Sequence, residues 1–182
     1  MTGTAERHLR RDAQANRERL VAAARDAFAE GGVDVSMDEI ARRAGVGVGT
    51  IYRNFPAKDD LHDAVLDDEI ERLLTIAREA LSLDDAWAGF CLFVERVIDL
   101  HVANRGLKRI FAGRGVDRAR AAMRPLAARL IARAQEQGAL RADFTTRDLR
   151  LVFRAASAVV EFDPGSRRRF RALLLDGLRA GR

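Results

Sequence analysis

Apolar residues recur at helical spacing along almost all of this 182-residue chain, and only three prolines, Pro56, Pro125 and Pro164, punctuate it. That period is the tightest constraint on the fold. Repeats at i, i+3 and i+4 lay an apolar stripe along a helix, whereas a half-buried strand needs strict alternation. Alternating β-branched runs with hairpin turns between them are absent, so the expected class is all-α. No run of about 18 apolar residues exists, so no membrane-spanning helix and no membrane partner are expected. Residues 1–11 are polar and charged, with no apolar stretch to act as a signal peptide, which places the expected protein in the cytoplasm. The single cysteine, Cys91, excludes an internal disulfide framework and any multi-cysteine metal site. Neither a metal nor a cofactor is expected.

The pattern divides into segments. Residues 1–12, with Arg7, Arg10 and Arg11, read as a mobile basic arm. Leu20, Ala23, Ala24, Ala27 and Phe28 mark one face of a helix that Gly31-Gly32 stops. Short helices follow Ser36 and Gly47, and Pro56 closes that unit. A longer helix runs from about Lys58 to Leu81, and Asp84-Asp85 cap another that reaches about Val102. Arg105 to Phe111 reads as a short helix. Asp117 to Gln137 is rich in Arg and Ala, with a kink or break expected near Pro125. Thr145 or Thr146 caps a helix to Glu161, and the last helix spans about Ser166 to Leu178. The expected domains are residues 1–57 and 58–182.

Residues 36–55 carry the chemistry. Ser36 and Glu39 have capping-box spacing, so a helix should start there. Ile40 and Ala44 give it an apolar side, and small Ala41 lets a second helix cross closely. Gly45 follows at the point where a sharp turn needs a left-handed backbone. Val46 and Ile51 then supply core contacts for the second helix. This is helix-turn-helix spacing, in which the second helix enters the major groove. Its exposed residues would be Val48, Gly49, Thr50, Tyr52, Arg53 and Asn54. Thr50 and Tyr52 can donate to phosphates, while Arg53 and Asn54 can read base edges. Lys58 opens the next helix, where a cation and free amides can grip a phosphate together. The competing reading is a helical corner with no role in DNA binding. Charge does not separate the two, because ten cations in residues 1–58 face eight carboxylates. The cations behind the net charge of +5 are nearly all arginine, with only Lys58 and Lys108 as lysines, a usage that also fits a GC-rich genome.

The N-terminal third resembles the TetR family of bacterial transcriptional regulators. The matching residues are Arg17 to Phe28, Gly31-Gly32, Met37 to Ala41, Gly45-Val46, Gly49 to Tyr52, Phe55-Pro56 and Lys58 to Leu61. Arg133 to Asp143 and Leu173 to Arg179 resemble the C-terminal domain of an actinobacterial-type subgroup. The resemblance implies a three-helix DNA-binding domain, a C-terminal helical domain for ligand binding and dimerisation, and a homodimer. It also implies repression at an inverted-repeat operator in double-stranded DNA, relieved by a small-molecule effector that shifts the helix beginning at Lys58. Carried over by position, Ser36, Gly49, Thr50, Tyr52, Arg53 and Lys58 would contact DNA. Val48 and Asn54 depart from the residues common in the family, which leaves the operator sequence open.

The second half offers an apolar face of Trp87, Cys91, Val94, Ile98 and His101. Phe111 and Met123 are placed to extend it. One reading is plain core. The sharper one is a pocket lined by Trp87, Cys91, Val94, His101, Phe111 and Met123, which would suit a mostly hydrophobic ligand. The last two helices present Phe153, Ala156, Val160, Phe170, Leu174 and Leu178. In the family the corresponding helices pair across a dimer; the alternative is burial within one subunit. His62, Asp63 and Asp67 share a helix, but a solvated acidic face explains them better than a metal. No Ser/His/Asp set, phosphate loop or dinucleotide fingerprint is present, so no catalysis is expected. Other readings are a regulator that activates or acts without ligand, and a helical small-molecule carrier.

Overall fold

The computed structural model describes residues 2–32, 34–103 and 114–181. Eight α-helices account for most of the described residues: α1 (Thr2–Gly31), α2 (Met37–Arg43), α3 (Val48–Asn54), α4 (Lys58–Ser82), α5 (Ala86–Ala103), α6 (Arg114–Glu136), α7 (Thr146–Phe162) and α8 (Arg167–Leu178). A 3-10 turn, Pro164–Ser166, joins the last two. The all-α expectation holds. The short helix expected over 105–111 lies outside the described residues.

The chain packs as two units. The first takes in Met1–Glu69, and the second Ile70–Asn104 with Val116–Arg182. The first core gathers Leu20, Ala24, Phe28, Ile40, Ile51, Phe55, Leu61 and Val65, all essentially buried. Burying each large side chain stabilises the unit by about 1.5–3 kcal/mol. Leu61, Ala64 and Val65 belong to this core, so the first turns of α4 pack with α1–α3. Arg25 of α1 ties the same stretch down, with Nη1 donating to Asp68 Oδ2 at 2.9 Å.

Residues 2–12 are helical rather than an arm, continuing α1 toward the N-terminus. Arg, Ala, Gln and Glu propagate an existing helix cheaply. Pairs one turn apart support it: His8 lies 3.5 Å from Asp12, and Gln14 donates to Glu18 at 2.7 Å.

The second core is built on Phe90, Phe93, Val94, Ile98, Leu130, Ala134, Leu140, Leu149 and Ala156. Thr145 caps α7 in a reciprocal box with Asp148, whose carboxylate pKa is lowered by the Thr145 hydroxyl and amide. The helix α6 runs unbroken through Pro125. Pro125 and Ala121 both lie on the exposed side, so water can reach the carbonyl deprived of its helical donor.

Candidate nucleic-acid interface

The turn between α2 and α3 is set by hydrogen bonds at Gly45. Its φ is +66°, a left-handed conformation that L side chains rarely adopt. Gly45 N–H donates to Arg42 C=O at 3.2 Å and Val46 N–H to Ala41 C=O at 3.0 Å. That is a Schellman end, and it turns the chain so that Ile51 of α3 enters the core beside Ile40.

The N-terminus of α2 departs from the expected capping box. Ser36 Oγ accepts from Glu39 N–H at 3.2 Å, but the Glu39 carboxylate turns to the arginines instead. Arg42 donates to both its oxygens at 2.8 Å, and Arg43 Nε donates to Oε1 at 2.9 Å. Charge-assisted bonds of this kind outcompete a neutral backbone amide. Arg43 also donates to Glu30 at 2.7 Å, which ties α2 to the end of α1. The arginines draw the Glu39 pKa from 4.5 down to about 2. A depressed carboxylate pKa gives stability that is complete above the ordinary value and is lost as pH falls through the folded value. Glu39→Gln is therefore expected to flatten the loss of thermal stability between about pH 5 and pH 2. Identical pH profiles for wild type and variant would refute the pairing.

With its inner side held, α3 turns Val48, Gly49, Tyr52 and Arg53 outward, with Val48 46% and Tyr52 47% exposed. Thr50 and Asn54 are half-buried. The Asn54 amide donates to Thr50 C=O at 2.8 Å and Arg53 donates to Thr50 Oγ1 at 3.0 Å. Asn54 thus spends one of its two amide donors on the helix end, whereas the exposed Arg53 can swing away. Lys58 is half-buried at the first position of α4. Just before it, Ala57 N–H donates to Asp60 at 2.9 Å. Ser36 is exposed. All eight residues proposed from the sequence for DNA contact therefore lie on the α2–α3–α4 segment, five exposed and three half-buried.

In the second unit, the stretch from Arg133 to Asp143 is a hub of hydrogen bonds. Gln135 Nε2 donates to the carbonyls of Arg141, Ala142 and Phe144 at 3.0, 3.1 and 2.9 Å. Gln137 accepts from Ala86 N–H at 2.9 Å and donates to Asp84 C=O at 3.2 Å, which fixes the start of α5. The guanidinium of Arg133 binds the carbonyls of Leu81 and Leu83 at the end of α4. Arg141 N–H donates to Leu178 C=O at 3.1 Å and Ala180 N–H to Ala139 C=O at 3.0 Å. The two C-terminal segments singled out in the sequence therefore meet in space.

Residues 20–65 match the bacterial regulatory proteins of the tetR family, and residues 85–180 match the SbtR-like transcriptional regulator C-terminal domain. A TetR transcription regulatory protein from Mycobacterium vanbaalenii is 36% identical, with a TM-score of 0.72 over 94% of this chain and 99% of that one. This chain belongs to the TetR family. Its family and relatives are transcriptional regulators, not enzymes. A TetR regulator from Streptomyces coelicolor has a TM-score of 0.74 at 28% identity, covering 91% of this chain and 99% of that chain. RolR in complex with resorcinol shares the fold, with a TM-score of 0.59 at 23% identity over 94% of this chain and 91% of its own. Among curated proteins, an HTH-type transcriptional regulator of Staphylococcus aureus is 40% identical over 68 residues, which is 37% of each chain.

Within this TetR chain, the effector candidates sit as follows. Val94 is fully buried, and Met123 and Trp87 pack half-buried against the same core. Trp87 stacks on Phe90 at 5.8 Å, and the Arg179 guanidinium lies 4.8 Å from its ring. Cys91 is a half-buried thiol whose pKa rises from 9.0 to about 11, through burial first and then the nearby Glu95. It is therefore a poor nucleophile at neutral pH. The side chain of His101 and all of Phe111 lie outside the described residues. Of the dimer candidates, Ala156 and Leu178 are buried in their own chain, and Phe153, Phe170 and Leu174 are partly so. The Val160 side chain lies outside the described residues. The exposed side of α7 carries Leu151, Ala155 and Ala158, and that of α8 carries Leu173.

Three contributors escaped the sequence reading. The Glu39 pairing with Arg42 and Arg43 was legible as i, i+3 and i, i+4 charge spacing. Gly89, a glycine inside an apolar helical run, was a signal for close packing. The contact of Arg17 with the Phe55 ring, at 4.7 Å, had no local signal.

Proposed function

We propose that this chain acts as a homodimeric repressor whose α3 helices enter successive major grooves of an inverted-repeat operator. The observation that carries this reading is the outer side of α3. Val48, Gly49, Tyr52 and Arg53 face outward while Ile51 and the Gly45 turn hold the helix rigidly from behind. A helix fixed on one side and bare on the other can enter a groove without reorganising. A homodimer would present two such helices about 34–36 Å apart. Leu151 and Leu173, 59% and 55% exposed, with Ala155 and Ala158 beside Leu151 on α7, support pairing of α7 and α8 with a second copy.

Release by a small, mostly hydrophobic effector is the second part of the proposal. The apolar side chains along α5, with Val94 among them, supply the right chemistry, and a protein of the same fold is known in complex with resorcinol. The long helix α4 begins at Lys58 in the first unit and ends at Ser82 in the second. It is the element through which effector and DNA would oppose each other reciprocally. The protein would act in the cytoplasm.

The test is selection of binding sites from random duplex DNA at two salt concentrations. Recovery of an inverted repeat supports the reading; recovery of nothing by folded protein, with and without cell extract, opposes it. On the recovered duplex, Tyr52→Phe and Lys58→Ala are each expected to weaken binding by about three- to tenfold, the value of one phosphate hydrogen bond or ion pair. Their oligomeric state should not change. Wild-type affinity in both variants would remove these residues from the interface.

A further inference from the structure

We propose that the N-terminal half of α1 is a second DNA-contacting element, in which Arg7 and Arg11 grip the phosphate backbone beside the groove that α3 enters. This rests on the DNA-binding reading above and extends it to a part of the chain outside the helix-turn-helix.

Among the described residues, the first α1 side chain in the apolar core is Leu20. Residues 2–19 therefore form about 27 Å of helix, at about 1.5 Å per residue, beyond that core. Leu9 is the one large apolar residue of this stretch, and a helix so polar gains little from packing on its own unit. Arg7, Arg11 and the residues from 12 to 15 are exposed. The described carboxylates of this stretch have nearby partners: Asp12 lies against His8, and Glu18 accepts from Gln14. Arg7 and Arg11 form no ion pair among the described residues. They lie one helical turn apart on a single face, the spacing that lets two cations meet one strand of phosphates.

The place of this helix within the unit supplies the occupant. The Arg17 guanidinium lies 4.7 Å from the ring of Phe55, the residue that ends α3. The free stretch of α1 thus departs from beside the end of the proposed recognition helix, and its exposed cations Arg7 and Arg11 belong to the same unit as α3. Arginines on a helix that carries no groove-reading face bind phosphates, which adds affinity without sequence preference.

The experiment measures binding of full-length protein over a range of salt concentrations, to the selected duplex and to a scrambled duplex. Arg7→Ala/Arg11→Ala is expected to weaken binding to both duplexes by a similar factor. The slope of log affinity against log salt should fall by about 0.9 for each phosphate that the variant no longer neutralises. Arg7→Lys/Arg11→Lys should keep most of the slope, and the sites recovered by selection should be the same for all variants. Both positions are exposed, so the helical circular dichroism should change little. An unchanged slope in the alanine variant, with wild-type protein binding normally, overturns the role of α1 and leaves the DNA-binding reading intact. Failure of wild-type protein to bind either duplex overturns both.

Discussion

Gly49→Glu is expected to abolish operator binding while leaving the protein folded and slightly more stable. Gly49 is the second residue of α3 and lies on its outer side. A Cβ built there meets only the Arg53 guanidinium, at 3.8 Å, so a longer side chain has room. Replacing glycine with a good helix former gains about half a kcal/mol or more. A carboxylate in the first turn also complements the helix dipole. In a groove lined by phosphates the same carboxylate meets like charge, at a cost of several kcal/mol, or about a hundredfold or more in affinity. Thermal melts and titration of the selected duplex read the two effects separately. Binding at wild-type strength would show that α3 does not face DNA. A fall in melting temperature would show that Gly49 is packed rather than open.

Gly89→Ala should act in the opposite direction, although it too places a helix former in a helix. A Cβ at Gly89 would stand 2.3 Å from the Ala80 carbonyl oxygen and 3.3 Å from the carbonyl carbon. Both are backbone atoms, so no side chain can swing aside; α4 and α5 must separate. Ala80 and the neighbours of Gly89, Phe90 and Phe93, all belong to the second core, and separation would loosen that core as well. Overpacking of this kind costs about 1–3 kcal/mol, occasionally more. The helix-propensity gain of up to about 1 kcal/mol offsets part of that. A net loss of about 2 kcal/mol would lower the melting temperature by roughly 4–8 °C for a chain of this size. Gly49→Ala is the matched control and should raise it. A melting temperature at or above wild type for Gly89→Ala would mean that the two helices do not approach so closely.

The contrast between these two glycines shows where sequence reasoning reached its limit. Both sit in helices, and the apolar run around Gly89 signals close packing without saying against which backbone. Gly45 was legible because a helix end followed at once by a second helix demands a left-handed residue, and that demand is local. Gly89 answers to Ala80, a residue on another helix.

The same division runs through the rest of the protein. Helical periodicity, the Ser36 and Thr145 caps, the Gly45 turn and the outward set on α3 are properties of neighbouring residues. Local pattern was therefore enough for the all-α class, the helix-turn-helix and the TetR resemblance. The fate of polar side chains was decided by competition among partners brought together in space. Arg43 reaches Glu30 at the end of α1, Gln135 closes three carbonyls of the turn after α6, and Arg133 holds the end of α4. Burial divided the apolar stripes in the same way. Ala156 of α7 faces its own core, while Leu151 and Ala155 of the same helix face outward. An amphipathic helix advertises that it has an apolar face, but whether that face meets its own chain or another depends on the neighbours it finds. Those neighbours are set by the folded arrangement alone, because packing is a relation between residues far apart in sequence.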